Sequence, residues 1–200
     1  MKPKVERDTI VHPFSFRVRD EDGFMEGHDN HIERYLSTLT TMFSDTAAVE
    51  ARLKDKGDVK VYEVWEKTIP HRDGELQVCT SITHPGTIGG EYFMTKGHFH
   101  ARRDTAEIYY CIRGQGYMLM ELESGEHVLE EMAPGGAVYV PAYYAHRSIN
   151  TGKVLLVSLA IYPGDAGHDY GSIETSGFKH LLFEKNGKPE VVVNPRFGKM

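Results

Sequence analysis

The chain has 200 residues, 40 % of them hydrophobic and 26 % charged, with a formal net charge of −6. That length suits one substantial core better than two small domains, and the acidic balance argues against general nucleic-acid or membrane-surface binding. No apolar run approaches the length of a membrane span, no apolar leader follows the basic start Met1–Asp8, and the two cysteines, Cys79 and Cys111, sit in apolar strand-like runs as buried free thiols, so a reducing cytoplasm is expected.

In chain order, Pro13–Val18 alternates like an edge strand and Glu21–Gly23 supplies a turn. Residues 28–57 are the one stretch with helical periodicity: Ile32, Leu36 and Leu39 fall near one helical face, with Tyr35 beside them. After a break at Phe43-Ser44, Asp45 or Ser44 caps a short helix through Lys56, with Val49 and Leu53 as its buried pair and Gly57 as its stop.

From Val59 the period changes to two. Val59–Trp65 and Leu76–Thr83 read as strands joined by the turn His71–Gly74. Glu107–Arg113, Tyr117–Leu122, His127–Glu130, Ala137–Val140 and Val154–Tyr162 follow, separated by Gly and Pro turns, and Asn186-Gly187 turns a last hairpin within Phe178–Val193. Many short strands at close spacing indicate an antiparallel sandwich or barrel. The expected organisation is an all-β chain with an N-terminal extension over 1–58, carrying short helices that pack on the barrel, and a barrel domain over 59–200, the whole forming one structural unit.

Eleven histidines direct attention to metal chemistry. His98 and His100 are two apart, so in an extended chain they share a face. Glu107 opens the next strand, where Tyr109 and Cys111 share its face and Ile108 and Tyr110 take the other. His146 follows a Pro141-x-x-x-x spacing. Three imidazoles and a carboxylate suit a divalent transition metal. A lone His-x-His is weak; the four together are specific. His84, His127 and His180 read instead as surface or turn residues.

His98-Phe-His100 with Glu107 and Gly114 resembles the first cupin motif, and Pro134-Gly135, Pro141, His146 and Asn150 resemble the second. Thr95–Ala101, Tyr139–Arg147 and above all Ala160–Gly171 resemble the cupin-type phosphoglucose isomerases of archaea; Val61–Val64 and Asn194-Pro-Arg196 fit as well. The resemblance implies a single jelly-roll β-barrel of the cupin type, and a metal held by His98, His100, Glu107 and His146: Fe2+ by preference, with Mn2+, Ni2+ or Zn2+ compatible. It implies interconversion of glucose 6-phosphate and fructose 6-phosphate, a step of glycolysis and gluconeogenesis, with a phosphorylated hexose as partner, a homodimer, and no nucleic acid or membrane. It places Thr95, Lys96, Gly97 and Ser81 at the phosphate, Tyr162 and Tyr170 at the sugar, and Glu107, Tyr109 and His168 in proton transfer.

Four of these have a plainer alternative. Thr95 and Ser81 fit ordinary strand polarity, Lys96 a solvated strand-end charge and His168 a turn position. Arg147 either adds positive potential or, the preferred reading, pairs with an acidic neighbour. A cis-enediol route and a metal-assisted hydride shift both remain open. So do a metal-dependent dioxygenase on the same ligand set and a non-catalytic sugar-binding cupin, though the Ala160–Gly171 motif favours the isomerase over both.

Overall fold

The computed structural model describes residues 10–198; the leader reading over Met1–Asp8 lies outside them. A short hairpin, β1 (Arg17–Val18) and β2 (Met25–Glu26), leads into β3 (Asn30–Tyr35), two 3-10 turns (Leu36–Thr38 and Thr40–Met42) and helix α1 (Thr46–Lys56). Then come β4 (Lys60–Glu66), β5 (Leu76–Thr83), β6 (Thr87–Ile88), β7 (Glu91–Tyr92), β8 (Glu107–Arg113), β9 (Gly116–Glu121), β10 (His127–Met132), β11 (Ala137–Val140), β12 (Ala145–Asn150) and β13 (Leu156–Pro163). Helix α2 (Gly171–Ser176) and the hairpin β14 (His180–Lys185) with β15 (Lys188–Val193) complete the chain.

The main sheet has six antiparallel strands in the order β11-β8-β13-β5-β4-β3. A three-stranded sheet, β10-β9-β12, and a four-stranded one, β15-β14-β7-β6, accompany it. This all-β arrangement fits the expected jelly roll, although among the described residues the ladders do not close into one continuous barrel. Apolar side chains pack in two clusters. One surrounds Phe43, Phe93, Phe99 and Phe178; the other joins Cys111, Met118, Met120, Met132 and Leu156.

The helical reading of residues 28–39 is wrong in its first half. Asn30–Tyr35 is an edge strand paired with β4, Ile32 opposite Val64 and Arg34 opposite Tyr62. Spacings of four and three from Ile32 suit a helix, but an isolated helix this short is marginal, and a strand here covers the otherwise open edge of β4. Leu36 and Leu39 reach the core through the 3-10 turns instead. The second half of the reading holds. Asp45 caps α1 by accepting the Ala48 N–H at 2.9 Å, Gly57 ends it at φ +72, Val49 is fully buried and Leu53 packs against the core. Strand β12 and helix α2 were not anticipated. His180 is not a surface residue: it is buried, with its ring Nδ1 and its backbone N–H both on Glu121 at 3.0 and 2.7 Å.

The inward rows of the main sheet make one wall of a cavity. In register, Tyr62 faces Thr83, Val64 faces Ser81 and Glu66 faces Cys79. Ser158 and Ala160 of β13 continue the rows from Ser81 and Cys79, and Ala160 leads across to Tyr109 of β8. The facing wall is the extended segment 94–100, bridged to β12 at Met94–Ile149 and His98–His146.

Replacing Asp45 by Ala leaves the Ala48 N–H without its cap and should cost about 1 kcal/mol. The denaturant midpoint of the variant measures this; an unchanged midpoint would show that the cap contributes nothing.

Candidate functional site

A cavity of about 350 Å³ lies between these walls, lined among others by His98, Glu107, Tyr109, His146, Tyr162, His168 and Tyr170. Three backbone pairings assemble it. His98 and His146 exchange N–H···O=C bonds of 3.2 and 3.0 Å, and Phe99 and Asp169 exchange bonds of 3.2 and 2.8 Å. Ala101 N–H reaches the Gly167 carbonyl at 3.3 Å. The His98–His100 segment is thus held on one side by β12 and on the other by the loop that carries His168.

His98, His100, Glu107 and His146 each offer a donor atom, all within 4.8 Å of one another. The Nε2 atoms of His100 and His146 lie 3.0 and 2.9 Å from the same oxygen of Glu107. His100 turns its other nitrogen to Thr105, 2.8 Å from the hydroxyl and 3.1 Å from the carbonyl. A carbonyl can only accept, so His100 Nδ1 carries the proton and Nε2 presents a lone pair to the centre. His98 Nε2 is buried with no hydrogen-bond partner. An orphaned imidazole nitrogen, a second one aiming a lone pair at a carboxylate, and a third beside it form a set that one divalent cation satisfies together. The residues therefore fit such an ion.

Burial opposes charge on Glu107, but the imidazoles of His100 and His146 against its carboxylate outweigh it and hold the carboxyl well below the usual carboxylate range. Burial, then the neighbouring His146 and His168, pushes His98 well below the ordinary imidazole value. Burial likewise lowers His168 and raises Tyr109, with the Glu107 charge adding to the effect. Burial carries Tyr170 up to about 12. His168 stands 4.4 Å from His98 between ring centres, and stacks on Tyr170 at 5.6 Å and 13°. Tyr162 lies 5.5 Å from His168.

The residues expected at a phosphate line the same cavity, as does Tyr62. Ser81 is buried there, and Thr95 Oγ1 accepts the Ser148 N–H at 3.1 Å. Gly97 has φ +77, and a Cβ on it would stand 2.6 Å from the Phe178 ring and 2.9 Å from the His146 carbonyl oxygen, so only glycine fits. The buried Arg147 makes no ion pair among the described residues, contrary to the preferred expectation. Its guanidinium lies 4.0 Å over the Phe178 ring and donates to the Lys96 carbonyl at 3.0 Å. C=O and N–H point oppositely across a trans peptide, so that bond turns the Gly97 N–H away from Arg147. The Lys96 ammonium is paired with Glu174 of α2 and sits 5.0 Å over the Tyr170 ring.

Arg34, Tyr62, His71 and Gln77 also line the cavity and were not assigned from sequence. Tyr62 had a usable signal, since it shares strand parity with Val64 and Glu66. Arg34 had none while its segment read as helix.

A family model described as Glucose-6-phosphate isomerase (GPI) matches residues 33–194. The chain belongs to the glucose-6-phosphate isomerase family. It is 44 % identical to the glucose-6-phosphate isomerase of Thermococcus gammatolerans, over 92 % of this chain and 96 % of that one. It is 43 % identical to that of Pyrococcus furiosus, over 94 % and 98 %. A solved oxalate oxidase structure is alike only loosely, at a TM-score of 0.42 and 15 % identity over 51 % of this chain and 49 % of that one; the assignment draws nothing from it. The archaeal isomerase resemblance read from the motifs is thereby borne out, and the chain is an enzyme of this family.

Gly97→Ala should destabilise the protein by on the order of 2–3 kcal/mol, from the left-handed backbone and the contact with Phe178. Chemical denaturation would detect it, and a wild-type midpoint would mean that the loop relaxes freely.

Proposed function

We propose that this chain interconverts glucose 6-phosphate and fructose 6-phosphate, with a divalent transition metal, Fe2+ by preference, held by His98, His100, Glu107 and His146. The observation that carries the reading is one cavity lined by two chemically different groups of residues. One is a His3Glu cluster with an orphaned imidazole nitrogen, and the other is Ser81, Thr95 and Gly97. A phosphosugar bound along it would have its phosphate at Thr95, Gly97 and Ser81 and its C1 and C2 oxygens at the histidine cluster.

When bound, the ion would polarise those oxygens and acidify the hydrogen beside the carbonyl. Glu107 then carries charge more readily than protons: the two imidazoles against its carboxylate hold its pKa down and make it a weak base. Tyr109, whose pKa burial and the neighbouring Glu107 raise, keeps its phenolic proton. His168 is the uncommitted base. Its neutral imidazole stands at the cavity wall beside His98, stacked on Tyr170 and near Tyr162. We assign to it removal of the proton from one of the carbons C1 and C2 and its return to the other through a cis-enediol, the O1 and O2 hydroxyl protons being gained and lost in step, with Tyr162 and Tyr170 positioning the sugar. The residues 1–58 extension and the barrel would form one unit, working in the cytoplasm as a homodimer. Ile108, Tyr110 and Tyr139, exposed together on the outer face of the main sheet at its β11 edge, support the dimer.

Chelator treatment should abolish turnover of fructose 6-phosphate in a coupled dehydrogenase assay, and single-metal add-back should restore it. His146→Ala should lower kcat at least a hundredfold with every metal. A fully active His146→Ala enzyme would remove this ligand from the set, and inactivity of the wild type with every metal would sink the isomerase reading.

Substrate deuterated at C2 should lose its label to water through the enediol. Complete retention in the product would favour the hydride shift instead.

A further inference from the structure

A phosphate monoester carries nearly two negative charges at neutral pH, and hydroxyls and backbone N–H groups neutralise neither. Three side chains lining the cavity are permanently cationic: Arg34, Lys67 and Lys96. Lys96 is paired with Glu174. Lys67 lies 3.0 Å from Asp29 and also donates to the Gly27 carbonyl. Arg34 has no carboxylate partner among the described residues. Its Nη1 donates to the Glu33 carbonyl at 3.1 Å, and its guanidinium lies against the Tyr62 hydroxyl.

Its position follows from strand parity. Asn30, Ile32 and Arg34 of β3 line the cavity, while His31 and Glu33 take the outer face with Glu63. Arg34 stands opposite Tyr62 in the ladder, and the Tyr62 hydroxyl also lies near the Lys96 backbone N–H. The guanidinium, the phenol and the Thr95–Gly97 segment therefore line one cavity together, with the guanidinium exposed to solvent. A planar guanidinium offers five donors and binds phosphate oxygens in pairs.

We propose that Arg34 is the cation that binds the phosphate group of the substrate, a specificity-determining residue on an edge strand outside the barrel motifs. The proposal rests on the phosphosugar isomerase reading but is tested apart from turnover. Inorganic phosphate is titrated calorimetrically into the intact, metal-loaded wild type, Arg34→Met and Arg34→Lys at two salt concentrations. Arg34→Met should bind phosphate about tenfold more weakly, with a shallower salt dependence, and Arg34→Lys should recover part of the loss. Phosphate binding to Arg34→Met with wild-type affinity, or no phosphate binding to the wild type, would overturn the assignment. Should Arg34→Met fail to fold, phenylglyoxal labelling of the wild type followed by peptide mass spectrometry serves in its place. Phosphate should slow modification of Arg34, and an unchanged rate refutes the role. A wild type that binds phosphate through Arg34 yet does not interconvert the two sugar phosphates sinks the isomerase reading and leaves this one standing.

Discussion

The reciprocal backbone pair between His98 and His146 is the contact on which the site depends. It is a single bridge of two hydrogen bonds, 3.2 and 3.0 Å long, between segments nearly fifty residues apart. It sets two imidazoles side by side with ring centres 4.5 Å apart. β12 is itself fixed against β9, where His146 pairs with Met120, and nearly all of it is buried. The irregular 94–100 segment borrows its rigidity from that strand. On its far edge the Phe99–Asp169 pair hangs the Gly-rich loop on the same backbone, which explains why His168 arrives beside His98 although the intervening chain crosses the whole fold.

Bringing these groups together is electrostatically unfavourable until something positive is shared among them. Burial penalises charge on Glu107 and on the histidines alike, and Glu107 overcomes it only through its imidazole neighbours. His98 is left with an unsatisfied nitrogen in the interior. Native proteins rarely retain such groups without a use, and the most economical one here is coordination. The fixed tautomer of His100 points the same way, since Thr105 occupies the nitrogen that faces outward.

Much of this was legible because strand parity is a strong constraint. In β8, Glu107, Tyr109 and Cys111 are buried while Ile108 and Tyr110 are exposed, as alternation requires. Asp45 and Gly57 were legible as helix punctuation because each acts within one turn of chain. The failures occur where the deciding contact is distant. Nothing local in Asn30–Tyr35 reveals that β4 lies beside it, so a helical spacing was the better local fit, and with the strand went the orientation of Arg34. His180 shows the same limit: its burial is set by Glu121, fifty-nine residues away. The Lys96 side chain also depended on an element not foreseen, since the carboxylate that takes its ammonium lies on α2.

Arg147 shows how a charge can serve a site without touching it. Burial lowers its pKa to about 10, and the carboxylates Glu91 and Glu121 offset part of that penalty from a distance. A guanidinium that needed only neutralisation would sit against one of them. This one lies flat on Phe178 and uses a donor on the Lys96 carbonyl. The same Phe178 ring stands where a Cβ on residue 97 would go. Arg147, Phe178 and Gly97 thus form one stack that fixes a single peptide plane: the carbonyl is held inward by the guanidinium, so the amide must face the other way. The exposed guanidinium of Arg34 on β3 and the buried guanidinium that orients this peptide are therefore separate residues. Placing Arg147 in the cavity would bring another cation to it, but it would release the peptide that the guanidinium now holds.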